Sequence, residues 1–178
     1  MKQLLKLDER NIEDFDEQDT LQFLTFNLSQ ELYAIEILYI KEIIEYGRIT
    51  TVPMMPDFIK GVINLRGQVV PVIDLKLRFD LGKTEIGKKT GIIIVDVNVN
   101  DTSYDIGVIV DSVSEVLSIA PVDLDNAPPF GTKIRSEFIR YMGKVNKEFV
   151  VILAIDKVLS IGEMATMNGV DIREHKYS

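Results

Sequence analysis

Phe58-Ile59-Lys60-Gly61-Val62-Ile63-Asn64-Leu65-Arg66-Gly67-Gln68-Val69-Val70-Pro71-Val72-Ile73-Asp74-Leu75 is the stretch from which the fold can be read. Two β-branched runs, Val62 to Leu65 and Val69 to Ile73, flank Arg66-Gly67, and a short Gly-containing connection between such runs signals a β-hairpin. With Arg66 and Gly67 as the loop, Leu65 faces Gln68 and Ile63 faces Val70, which makes one face mostly apolar and leaves Arg66 in solvent at the tip. Pro71 has no N–H to give to a ladder, so that part of the second strand belongs at a sheet edge or bulge. Asp74 ends the strand ahead of Leu75-Lys76-Leu77-Arg78-Phe79, where an N-cap is its plainest use.

Working outward, Leu24, Phe26 and Leu28 alternate with Phe23, Thr25 and Asn27, and Ser29-Gln30-Glu31 turns the chain into Leu32-Tyr33-Ala34-Ile35, a first hairpin. Ile37 to Tyr46 alternates at its end, with room for one helical turn at its start, and Pro53 and Pro56 bracket a loop before the central hairpin. The second half repeats this order. Ile92 to Val99 and Tyr104 to Val110 form a hairpin around Asn100-Asp101-Thr102-Ser103, and Tyr33 to Ile44 lies without a gap on Ile106 to Leu117. Ile40 then matches Val113, Glu42 matches Glu115, Ile43 matches Val116, and Phe58-Ile59-Lys60 matches Phe138-Ile139-Arg140. Val72-Ile73-Asp74 is set against Ala154-Ile155-Asp156 by letting the second hairpin be slightly longer, which makes Asp156 a second helix cap.

The copies cover about residues 20–80 and 91–156, each with the strand number and spacing of a small closed or nearly closed barrel. A lone unit of that size buries only about 60% of its surface, so the two are expected to pack together with a groove between them. Ser160-Ile161-Gly162-Glu163 reads as the capping box of a C-terminal helix, and residues 166–178 as a frayed tail. Residues 1–19 are an acidic leader, Asp8 to Asp19 opposed only by Arg10, and read as a solvated tail in which Ile12 and Phe15 are the docking alternative.

The 178 residues carry a formal net charge of −8 and no cysteine. The charge argues against nucleic acid, which is bound by neutralising phosphates with cations. The cysteine count removes disulfides, thiolate catalysis and Cys-based zinc sites, and agrees with a cytoplasmic protein. Nothing approaches the run of about 18 apolar residues that a membrane span requires. His175, the one histidine, sits in the polar tail. Gly82 to Thr90 is a near miss to a phosphate-binding loop, with Lys89 where a hydroxyl is required and strand-forming residues where a helix must begin, so it reads as a flexible basic linker. Asp96 and Asp111 follow apolar strands, where magnesium-dependent phosphoacceptors sit in open α/β folds; exposed alternating positions are the other reading. No catalytic residue, metal or cofactor is expected. Arg66 on a rigid tip beside apolar residues is a possible interface anchor, set against a solvated turn residue, with Glu42 as its candidate partner.

The central stretch, with its Gly-x-x-Asn-Leu-Arg-Gly-x-x-x-Pro-Val-x-Asp-Leu pattern, resembles the CheW family of chemotaxis coupling proteins, as do Ile106 to Leu117 and Phe138 to Leu159, so the similarity spans about residues 20–165. The resemblance implies a mainly β fold of two SH3-like five-stranded barrels with short helices. It implies a non-catalytic adaptor, held at receptor arrays on the inner face of the membrane, that bridges the cytoplasmic tips of methyl-accepting chemoreceptors and the regulatory domain of a CheA-type histidine kinase. Carried over by position, Ile40, Gly61, Arg66, Val113 and Val116 belong to a receptor groove, and Glu42 with Arg66 to a kinase-coupling surface. An adaptor of the same fold in another receptor-kinase pathway is the alternative, and an aspartyl phosphoacceptor the alternative from another class.

Overall fold

The computed structural model describes residues 20–128 and 131–160. The acidic leader with Ile12 and Phe15, the C-terminal helix expected after Ser160, and His175 lie outside the described residues. The rest is mostly β. The strands are β1 (Leu21–Leu28), β2 (Glu31–Glu36), β3 (Ile40–Glu45), β4 (Ile59–Leu65), β5 (Gln68–Asp74), β6 (Gly91–Val99), β7 (Thr102–Val110), β8 (Ser112–Ile119), β9 (Leu124–Asp125), β10 (Ile139–Val145) and β11 (Glu148–Leu153). Two single-turn helices, α1 (Leu75–Arg78) and α2 (Ile155–Val158), follow β5 and β11. The helical turn expected ahead of β3 is a 3-10 turn over Ile37–Tyr39.

Each of the hairpins β1–β2, β4–β5, β6–β7 and β10–β11 closes on a two-residue turn whose residues both have positive φ: Ser29-Gln30, Arg66-Gly67, Asn100-Asp101 and Asn146-Lys147. That backbone matches the right-handed strand twist. The register of the central hairpin is the expected one, with Leu65 opposite Gln68 and Ile63 opposite Val70. Pro71 sits opposite Val62 and ahead of Val72, where pairing with β7 begins, so its missing N–H breaks no bond of that ladder.

The strands form a six-stranded sheet in the order β8-β1-β2-β11-β10-β9 and a five-stranded sheet in the order β3-β6-β7-β5-β4. Neither ladder closes into a ring among the described residues. The repeat is visible in the pairing: β5 runs parallel to β7 as β11 runs parallel to β2. The opening hairpin of each copy lies in the other copy's sheet, β1–β2 beside β8 and β11, and β6–β7 beside β3 and β5. The chain therefore crosses between sheets after β2 and after β7.

The copies also share bulges. Lys60 opposite β5 and Arg140 opposite β11 are each the extra residue of their strand. Both hairpins have the same length, which corrects the expected register at their ends. The backbone bond from Asp74 N–H to Phe58 O, 2.7 Å, is matched by that from Ala154 N–H to Phe138 O, 2.8 Å. Ala154, not Asp156, is thus the counterpart of Asp74, and Asp156 is an exposed residue inside α2. Asp74 is fully buried and caps α1, its Oδ1 accepting from Lys76 N–H at 3.0 Å and Thr84 Oγ1–H at 2.6 Å while Oδ2 accepts from Thr84 N–H at 3.0 Å. The linker after α1 is anchored by these bonds rather than loose.

Alternation along the strands builds three apolar layers. Phe26, Tyr33, Ile35, Ile93, Val95, Val108 and their neighbours form the layer shared by the sheets. Ile63, Val70, Ile92, Ile94 and Ile109 fill the inner face of the five-stranded sheet, and Phe23, Ala34, Leu124, Val150 and Ile152 that of the six-stranded one.

Candidate functional site

Arg66 holds a left-handed φ of 51° at the tip of β4–β5, and Asn64 Oδ1 accepts the Gly67 N–H at 2.9 Å across the turn. This local bond lets a non-glycine residue sit where the turn requires positive φ. On β3, Ile40 pairs with Val95 and Glu42 with Ile94, so Lys41 is the extra residue of a bulge. Bulges re-aim side chains at sheet edges. Here Glu42 is brought under the tip, and Arg66 Nη2 donates to Glu42 Oε2 at 2.6 Å. The Arg66 side chain stays 72% exposed and that of Glu42 27%. The bond to Glu42 and its negative charge raise the guanidinium pKa further above its ordinary value.

Further charges gather at the same end of the sheet. Asp96 and Asp105 are directly opposite in the β6–β7 ladder, a repulsive arrangement, and Lys41 Nζ reaches Asp105 Oδ1 at 2.7 Å. That bond, followed by the charges of Asp105 and Asp96 acting against desolvation and Arg66, raises the Lys41 pKa. The result is an ordered, mixed-sign surface with Arg66 projecting from it. Its groups are suited to recognising a protein partner by direction and charge. Among the described residues no cluster of three or more His, Cys, Asp or Glu side chains is placed to hold a metal ion.

The apolar positions carried over by the resemblance fall in pairs. Ile40 and Val113 are half-buried, both against the shared layer. Val116 is 51% exposed and its repeat counterpart Ile43 46%. Strands β3 and β8, which carry these four, are the edge strands of their sheets. The bulge of β8 is held by buried Thr25, whose Oγ1 donates to Glu115 O at 2.7 Å and accepts Glu115 N–H at 3.1 Å. Gly61 is buried and presents no side chain to a surface. Arg66 and Glu42 are therefore in contact, Ile40, Val113 and Val116 lie on edge strands, and Gly61 lies buried on β4 beside the Thr50–Val62 backbone bonds.

Sequence reasoning passed over Lys41 with Asp105, and Ile43. Alternation in β6 and β7 places Asp96 and Asp105 on one face, but only the bulge turns Lys41 toward them. Ile43 was accessible through its match to Val116. A groove of about 710 Å³ runs beside Tyr33, Ile139, Met142 and Val151, with Phe149, 61% exposed, and the paired Lys133 and Glu31 among its lining. Asp111 Oδ2 accepts the Ser29 N–H at 2.9 Å and stands 4.0 Å from Lys76 Nζ, a turn-holding position. The segment after Gly82 leads into strand β6 rather than a helix, as its sequence indicates.

The profile of the CheW-like domain matches residues 22–163. A chemotaxis protein CheW of Klebsiella aerogenes is 36% identical over 149 residues, covering 84% of this chain and 87% of that protein. A chemotaxis protein CheW of Helicobacter pylori is 35% identical over 145 residues, covering 81% and 84%. The crystal structure of the scaffolding protein TtCheW from Thermoanaerobacter tengcongensis superimposes with a TM-score of 0.70 at 36% identity, over 77% of this chain and 86% of that one.

Proposed function

The chain belongs to the CheW-like domain family, and from that premise we propose that it is a non-catalytic chemotaxis adaptor coupling the cytoplasmic tips of chemoreceptors to the regulatory domain of a CheA-type histidine kinase. The observation that carries this is the Arg66–Glu42 pair, held at 2.6 Å on a rigid hairpin tip next to an edge strand with exposed Ile43. An ion pair so open to water contributes little to folding, whereas an oriented Arg beside apolar surface is a frequent interface anchor. Arg66 and Glu42 form the kinase-coupling surface. Ile40, Gly61, Val113 and Val116, with Arg66 at the margin, belong to the receptor groove.

The adaptor acts by offering two faces on one body. A receptor helix tip lays apolar side chains along the edge strands, and the ionic end meets the kinase. Contacts of about 8 kcal/mol each, micromolar in strength, become durable when many are linked in an array, and a small receptor shift then biases the kinase. The protein works in the cytoplasm at such arrays; no helix among the described residues is long and apolar enough to cross a membrane. Pull-down of purified kinase by receptor cytoplasmic fragments, with and without this protein, tests the proposal: capture that requires the protein supports it, and capture indifferent to the protein refutes it.

A further inference from the structure

Arg78, at the end of α1, is only 8% exposed. Its Nε donates to the backbone carbonyl of Val158, at the end of α2, at 2.8 Å. Because Asp74 corresponds to Ala154, the four-residue helices Leu75–Arg78 and Ile155–Val158 superpose in order, and Val158 is Arg78's own counterpart in the other copy. The guanidinium lies 5.2 Å from the ring centre of Phe58 and 4.8 Å from that of Phe138, which are counterparts as well. The side chain thus sits where the two copies meet, between matching rings, and bonds across the junction. A guanidinium is suited to this place because one planar group both stacks on rings and donates along a fixed direction; an ammonium does neither in the same geometry. The contacts continue from Phe138 to Phe79 at 5.5 Å, Phe79 to Tyr33 at 6.1 Å and Tyr33 to Phe26 at 6.2 Å, reaching the β1–β2 hairpin of the six-stranded sheet.

We propose that Arg78 is a positioning residue that holds the five-stranded and six-stranded sheets at one mutual orientation, so that two surfaces remote from it act as parts of one rigid body. Burial is non-directional, so the free energy of covering apolar surface is by itself nearly indifferent to a small rotation of one sheet on the other. A directed bond from one helix end to the other is not. The partner-coupling consequence rests on the adaptor function proposed above: loosening this link uncouples the partners without touching either contact surface.

The chain has no cysteine, so Asn98→Cys on β6 and Lys144→Cys on β10, both exposed, give a pair of spin labels, one on each sheet. Dipolar spectroscopy on the labelled full chain is expected to show one narrow distance distribution, and Arg78→Met to show a distribution of roughly doubled width or a displaced maximum with the circular dichroism of the sheets retained. A folded Arg78→Met protein with the wild-type distribution overturns the proposal. If Arg78→Met does not fold, Arg78→Lys is read by the same criterion, broadening supporting the proposal and an unchanged distribution overturning it. In unlabelled protein, Arg78→Met or Arg78→Lys is expected to bind receptor fragment and kinase singly within about twofold of wild type while losing receptor control of the kinase; broadened distances with control intact overturn the partner-coupling consequence. Failure of the wild-type protein to bind either partner refutes the adaptor function, while the distance measurement still decides the role of Arg78 in the fold.

Discussion

A Cβ atom placed on Gly61 would lie 2.1 Å from the carbonyl oxygen of Thr50 and 2.9 Å from Ile49 Cγ2. Thr50 and Val62 exchange backbone bonds of 2.8 Å in both directions, and these bring the loop ahead of β4 against it. Gly61 also holds φ +150°, where a side chain is strained. Gly61→Ala is therefore expected to cost about 3 kcal/mol or more, read as a lower urea midpoint. Gly67, with φ +84° and nothing within 4 Å of its Cβ position, is the control: Gly67→Ala is expected to cost about 1 kcal/mol, the backbone term alone. Equal losses at the two sites would contradict the steric account.

Arg66→Glu reverses the charge that meets Glu42 while leaving the apolar layers intact. The melting temperature is expected to move by no more than about 3 °C, since the pair is open to solvent. Ternary capture of kinase by receptor is expected to fall by at least about tenfold, as for loss of an interface anchor. A large fall in melting temperature with capture preserved would make Arg66 a folding residue instead.

Asp74 and Asp156 look alike in the sequence, each an Asp beside the same short helix. Asp74→Ala strips a buried site of its bonds to Lys76, Leu77 and Thr84, and is expected to cost about 3 kcal/mol in denaturant titration. Asp156→Ala, at an exposed position, is expected to stay within about 0.5 kcal/mol. Similar losses for both would restore the capping role for Asp156.

Burial, helped by the negative charge of Glu31, pushes the Tyr33 phenol up to about 12 from 10.0. The folded state then keeps its phenolic proton between those values while the unfolded chain gives it up. Stability from this group is complete below pH about 10 and is lost as pH rises through the folded pKa, because the unfolded state binds fewer protons in that window. The loss is expected to reach about 2 kcal/mol. Urea midpoints at pH 9 and 12.5 for wild type and Tyr33→Phe measure it: the variant should lack this part of the alkaline loss, and parallel curves would refute it.

Much was legible in the residues alone because strand alternation and turn composition are local properties. The central hairpin, its register and its two-residue tip followed from β-branched runs around Arg66-Gly67, and the internal repeat from matched spacing. Residues such as Phe58 and Phe138 could be paired before either was seen in space. The Arg66–Glu42 contact was anticipated by position, but its cause, a bulge that inserts Lys41 into β3, has no clear pattern in the chain. Other outcomes belong to tertiary structure. Which copy's hairpin completes which sheet depends on the crossings after β2 and β7, and alternation is the same for either partner. The register of Ala154 against Asp74 was misplaced because an Asp two residues on mimicked a cap. Arg78 has no distinguishing mark in the chain beyond its place behind the Asp74 cap; only the fold brings Phe58, Phe138 and the Val158 carbonyl around it. Local chemistry chose the strands and turns; only the meeting of segments 80 residues apart decided how the two sheets are joined.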